Sequence, residues 1–196
     1  MKYKDFKNFR DYDRKFVKVT NLYPSVKKSL QIQKLDDPLY GILYIDRECG
    51  TSLRITGNET SNIDVTALIV RADSFKDADF EDFEGNHLMK VILSQINENY
   101  YDEQLNELLN DKLLDEFRNE DFPNDVLAIL PNEEQPEKMW VRLIMKTKEE
   151  NLYVAELLDD SYFDKQYTTG KKVALVFYEG NDFKGLIING LVKIQD

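Results

Sequence analysis

The chain has 196 residues, 42% of them hydrophobic, and carries 37 acidic against 26 basic side chains, a formal net charge of −11. That size buries either one large core or two small ones, and a charge of that sign disfavours phosphate backbones and anionic membranes while favouring encounter with a basic partner. A single cysteine, Cys49, excludes an intramolecular disulfide and a thiolate metal cluster, and with no bilayer-length apolar run and no apolar signal-type stretch we expect a cytoplasmic protein.

From Met1 to Leu30 there are nine Lys or Arg against three Asp. The segment interleaves Lys2, Lys4, Lys7, Arg10, Arg14, Lys15 and Lys18 with Tyr3, Phe6, Phe9 and Tyr12 and runs into FVKVT (Phe16–Thr20), which predicts a helix or arm leading into a strand stopped by Pro24. Basic side chains among aromatics are also the composition of a nucleic-acid surface. Because the remainder of the chain is strongly acidic, the arm is expected to dock on the protein's own acidic helices, and direct nucleic-acid binding is not expected.

PLYGILYID (Pro38–Asp46), TSLRIT (Thr51–Thr56) and IDVTALIVRA (Ile63–Ala72) are β-branched and apolar, and turn chemistry at Cys49–Gly50 and Gly57–Asn62 separates them, so they predict an antiparallel β-meander. Asp73–Asn86 spaces Phe75, Phe80 and Phe83 among acids and predicts a loop whose rings tuck onto the core. Its carboxylates, Asp77, Asp79, Glu81, Asp82 and Glu84, lack the Gly-centred spacing of a calcium loop.

Two amphipathic helices are predicted next. Leu88, Val91, Ile92 and Ile96 recur at helical steps over His87–Asn97, and Leu105, Leu108, Leu109, Leu113 and Leu114 do so over Asp102–Phe117, with Asp102 as N-cap. Glu103, Glu107, Asp111 and Asp115 fall largely on the opposite side of the second helix. Between Asp73 and Glu137 there are nineteen acidic against four basic residues. VLAIL (Val126–Leu130) is a further strand candidate, and the polar, Pro-containing Pro131–Lys138 predicts a linker. The expected organisation is an α+β region over 1–130, a linker at 131–138 and a small β-rich module over 139–196.

That module reads as MWVRLIM (Met139–Met145), LYVAELLDDSYF (Leu152–Phe163), TTGKKVALVFY (Thr168–Tyr178) and GLIINGLVKI (Gly185–Ile194), four short strands of a bent antiparallel sheet or SH3-like barrel. Met139–Val141, the Leu-rich Val154–Leu158, and Gly170 leading through a Lys pair into the apolar run to Phe177 resemble the bacterial family labelled domain of unknown function 2314 and immunity-protein families related to it. The resemblance spans Glu137–Ile194. It implies a small β-rich module with a binding role, since several relatives are encoded beside polymorphic toxins as immunity proteins, and it brings no catalytic residue.

Little else in the chain points to chemistry. His87 is the sole histidine, so neither a His-based metal cluster nor a nucleophile with a paired His base is expected. Cys49 reads as structural, and Trp140, in an alternating strand, reads as a core anchor. Gly180–Gly190 leads into a strand and not a helix, which excludes a phosphate loop or a dinucleotide fingerprint. No cofactor or metal is therefore expected. The expected function is non-enzymatic: an immunity or inhibitor protein that neutralises a basic toxin or nuclease through Glu103, Glu107, Asp111, Asp115 and Glu116. The alternatives are a metal-dependent hydrolase built on an acidic cluster and an adaptor module of a larger complex.

Overall fold

The computed structural model describes residues 1–6, 8–29, 38–58, 69–133 and 135–193. The chain divides into two compact units, Met1–Tyr101 and Asp102–Asp196.

The first unit contains β1 (Lys15–Thr20), a short helix α1 (Pro24–Ser29), β2 (Leu39–Asp46), β3 (Gly50–Gly57), β4 (Ile69–Arg71), β5 (Asp79–Asp82) and α2 (His87–Tyr100). Its sheet has the order β4-β3-β2-β1-β5, antiparallel throughout. β2, β3 and β4 form the expected meander, with the last of them a strand over Ile69–Arg71, and β1, expected as a separate strand after the arm, pairs with β2 and extends it; residues 59–68 lie outside the described residues. The loop expected over Asp73–Asn86 is in part a strand, since Asp79–Asp82 pairs with β1 along the sheet edge.

Every residue from Leu39 to Ile45 is buried, which explains the unbroken apolar run of β2: it is covered on both faces. Tyr40, Ile42 and Tyr44 meet Met89, Ile92 and Ile96 of α2. Leu88 and Val91, expected on the packed side of this helix, are exposed, and Met89 takes their place. Leu43 and Ile45 point the other way, beside Leu53 and Thr51 in register. Thr51 is tied to Tyr12 of the N-terminal segment, where Tyr3, Phe6 and Phe80 join the same aromatic cluster around Phe75.

The second unit comprises α3 (Glu103–Asn110), a 3-10 turn (Lys112–Phe117), β6 (Asp125–Leu130), β7 (Glu137–Lys146), β8 (Leu152–Leu157), β9 (Lys172–Glu179) and β10 (Lys184–Leu191). The five strands close into a barrel in the order β10-β6-β7-β8-β9. Five successive antiparallel strands leave the first and last running the same way, so the closing seam is parallel, with Ile187 opposite Ile129. Period-2 alternation sends Val126, Ala128 and Leu130, Met139, Val141 and Leu143, and Tyr153, Ala155 and Leu157 inward. Leu108 of α3 and Leu114 of the 3-10 turn enter the same core.

The α+β class holds, and three details change. β6 is a barrel strand, with its register to β7 running from Asp125 opposite Arg142 to Leu130 opposite Glu137, so the linker expected at 131–138 instead joins paired strands, and its last two residues, Glu137 and Lys138, already belong to β7. The division falls instead between Tyr101 and Asp102, and the two predicted helices belong to different units. Trp140 is half-buried on the outward face of β7, because Met139, Val141 and Leu143 take the inward positions. Among the described residues, no helix is long and apolar enough to cross a membrane.

Candidate functional site

The acidic helix expected over Asp102–Phe117 breaks at Asp111. Asp102 caps α3 by accepting from the Leu105 N–H at 2.6 Å, as its position predicts. Asp111 follows the last turn with extended backbone and starts a 3-10 turn by accepting from Leu113 N–H. Its carboxylate also accepts from Lys146 Nζ and from the Tyr153 hydroxyl, both at 2.8 Å. Burial works against the charge at Asp111, but these donors outweigh it and hold the carboxyl below its ordinary range. Asp111 is therefore an internal tie, its side chain only 7% exposed.

Asp115 is likewise engaged. Arg118 donates Nε to Asp115 Oδ1 at 3.2 Å and spends its other N–H groups on the carbonyls of Leu108, Asp111 and Pro123. A cation meeting the last carbonyls of α3 satisfies acceptors that the helix leaves orphaned and complements the helix dipole. Glu116 pairs with Lys184 Nζ at 2.8 Å on the surface. Of the five acids expected to contact a partner, Glu103 and Glu107 are exposed on α3, Glu116 is exposed within its ion pair, and Asp111 and Asp115 serve the fold. Helical spacing of the leucines runs through the break, which is why the pattern reads as one helix with one acidic face.

A second feature of this unit went unrecognised in the sequence. Leu152–Phe163 reads as one strand, but β8 stops at Leu157 and residues 158–171 form an ordered excursion between β8 and β9. Asp160 receives the backbone N–H and hydroxyl of Thr169 at 2.7 and 2.9 Å, and these bonds lower its carboxyl pKa. Ser161 donates its hydroxyl to Glu137 at 2.6 Å, and Tyr162 donates its N–H to the same carboxylate at 2.8 Å. Those bonds overcome the cost of partial burial at Glu137 and hold it below its usual range. Tyr167 packs onto the barrel core. The clamped loop thus displays Tyr162, 78% exposed, and Phe163, 41% exposed, edge to face with each other. The legible signal was the DDS triplet after LYVAELL, an Asp-rich stop such as turns require.

In the first unit the basic arm docks as expected in kind but on a different surface. Lys2 pairs with Asp79 at 3.0 Å and Lys4 with Asp77 at 3.8 Å, and both acids lie at β5 and its approach, not on helices. Lys7 lies outside the described residues. Asp77 also accepts from the Tyr23 hydroxyl and Asp79 from Asn21, so these carboxylates are spent on local structure. Among the described residues, no group of three or more His, Cys, Asp or Glu is placed to hold a metal ion. Cys49 is half-buried with the Arg71 guanidinium 3.2 Å from its sulfur, and His87 begins α2 on an exposed turn.

Buried polar chemistry in the first unit centres on Asp13. Its carboxylate accepts from Tyr101 hydroxyl, from Ile45 N–H at 3.2 Å and from Arg14 Nε at 3.1 Å. Burial raises its pKa despite these donors. Both carboxylate oxygens of Asp13 are thus committed to protein donors, Oδ1 to Tyr101 and Ile45 and Oδ2 to Arg14, and its side chain is 8% exposed.

No protein-family model, no curated protein and no solved structure matches this chain.

Proposed function

We propose that the protein is a non-enzymatic, cytoplasmic binding protein of bacterial immunity or inhibitor type, which neutralises a basic toxin or nuclease through its second unit. The observation that carries this reading is the clamped 158–171 loop, which holds Tyr162 and Phe163 out in solvent within a unit of 21 acidic against 11 basic residues. Exposed aromatics on a pre-ordered backbone lose little entropy on docking and are the residue types that anchor interfaces, while surrounding acids steer a basic partner. Glu103 and Glu107 on α3 remain in the proposed contact set, and Tyr162 and Phe163 join it. The resemblance of residues 137–194 to immunity-related families, and the reading of the barrel as an SH3-like module, belong to the same proposal.

The test is capture of one dominant basic partner from the source cell, followed by kinetics with variants. Replacing both Tyr162 and Phe163 by Ala should weaken the complex by at least about tenfold, the effect of losing an interface anchor. Glu103→Lys with Glu107→Lys should slow association, and added salt should do the same as the screening length shrinks to about 8 Å. Association indifferent to salt, to the loop and to α3 overturns the reading.

A further inference from the structure

The parallel seam of the barrel leaves a groove on its outer surface. β6 and β10 share a single register pair, and beside it lies a hollow of about 220 Å³. Leu127 and Ile129 of β6 line it, Phe117 and Phe183 wall it, and Lys138 and Lys184 stand at its edge. The phenyl wall depends on a glycine: a Cβ at Gly185 would sit 2.4 Å from Phe183 Cζ, so any side chain there would push the ring away.

Both cations of this groove sit in a unit that is otherwise strongly acidic. One of them already holds a carboxylate, since Glu116 Oε1 lies 2.8 Å from Lys184 Nζ and its side chain is 64% exposed. An exposed pair of that kind is weak and readily exchanged for another anion. Small-molecule sites usually measure about 300–1,000 Å³, so this one accepts a single short chain and not a large ligand.

We propose that the groove binds a small apolar carboxylate, with its chain along Leu127 and Ile129 and its carboxylate meeting Lys138 and Lys184 in place of Glu116. A cationic amphiphile of the same length meets two ammonium groups, with Glu116 and Glu179 beside Lys184 to offset them in part, and binds more weakly. This site is independent of the partner surface proposed above, and neither stands or falls with the other.

Octanoate titrated into the full chain tests it, with octylamine as the matched cation. The reporters are the methyl resonances of Leu127, Ile129 and Leu186, and the fluorescence of Trp140, which faces Leu127 across the β6–β7 ladder. Octanoate should shift all of these, and Lys138→Met or Lys184→Met should each weaken binding about tenfold, as loss of a charge-assisted bond does. Glu116→Gln should tighten binding several-fold by freeing Lys184. Gly185→Ala, verified as folded by circular dichroism, should weaken it with no change of charge. Equal binding of octylamine, shifts confined to other parts of the molecule, or indifference to both Lys184→Met and Glu116→Gln would overturn the proposal.

Discussion

The first unit sets a cluster of aromatic rings in its core and joins their hydroxyls there, whereas the second fills a barrel mainly with aliphatic side chains and ties its segments together with ion pairs that each have one nearly buried partner, Arg118, Asp125 or Asp111. In the first, Tyr3 and Tyr12 hydroxyls lie 3.2 Å apart and Tyr12 reaches Thr51 at 2.9 Å, all buried. In the second, Arg142 grips Asp125 with two bonds of 2.8 and 3.0 Å on the outer face of the barrel. The difference follows from topology. The open sheet is covered by α2 on one face and by the irregular N-terminal segment on the other, which brings tyrosine hydroxyls into the core, while the closed barrel pairs its backbone around the circle and buries Asn124, Asp125 and Ser161 beside it. Charge divides the same way, 16 acidic against 15 basic residues in the first unit and 21 against 11 in the second.

The largest effect that would sharpen this contrast is expected at Arg118, whose side chain is only 5% exposed. Arg118→Met strips donors from three carbonyls and from Asp115, and should destabilise the second unit by about 3–5 kcal/mol, the range for breaking a buried charged network. Chemical denaturation followed by Trp140 fluorescence reads this unit alone, because the tryptophan is unique to it. A shift of under 1 kcal/mol would mean that water replaces the guanidinium at little cost.

Next in size is Gly41→Ala in the first unit. A Cβ there would lie 2.7 Å from Leu53 Cδ1 and 2.9 Å from the Arg54 carbonyl oxygen, at the point where the β2–β3 register shifts. Overpacking against backbone predicts a loss of about 1–3 kcal/mol, to be read by hydrogen exchange in β2 and β3. Tyr12→Phe should cost less, about 1 kcal/mol, for one buried hydroxyl. A neutral result there would show that the hydroxyl chain of the first unit is incidental to its stability.

Acid separates two carboxylates that are each tied to a tyrosine. Asp13 has a raised folded pKa, so it binds its proton more tightly in the native state; its contribution to stability is complete at low pH and is lost as pH rises through that pKa. Asp111 has a lowered folded pKa, so its contribution is present above the unfolded pKa and is lost as pH falls through the folded one. Carboxyl carbon NMR should therefore see Asp13 protonate before an ordinary aspartate and Asp111 after it. The reverse order would remove the distinction between a buried acid held by strand backbone and a helix-end acid held by a lysine.

The smallest expected change in stability is at Glu103→Lys with Glu107→Lys, within about 0.5 kcal/mol by thermal unfolding, because both side chains are exposed. A larger loss would place these acids in the fold with Asp111 and out of the proposed partner surface.

What the sequence made legible was local. The meander, the N-cap at Asp102 and the alternation of Met139 to Leu143 follow from short-range pattern. Trp140 reads as a core anchor because Met139 and Trp140 are both large and apolar, so a two-residue period fits either phase; Val141 and Leu143 decide it by sharing the face of Met139. Asp79–Asp82 offers only Phe80 to an apolar period and becomes a strand because β1 supplies a partner. The use of Asp111 depends on Lys146 and Tyr153, 35 and 42 residues away, and no helical wheel contains them. Neither the groove nor the displayed aromatic pair has a local signature beyond the turn residues around it.

The peptide bond between Tyr101 and Asp102 has a practical consequence for anyone who wishes to study either half alone. On one side of it, the Tyr101 hydroxyl serves Asp13 and the N–H of Ile45. On the other, Asp102 caps α3. A fragment truncated at Tyr100 forfeits a donor to a buried acid, and one begun at Glu103 forfeits a helix start. Genetic dissection therefore has a natural scissor point one bond wide, with 1–101 and 102–196 as the pieces to express.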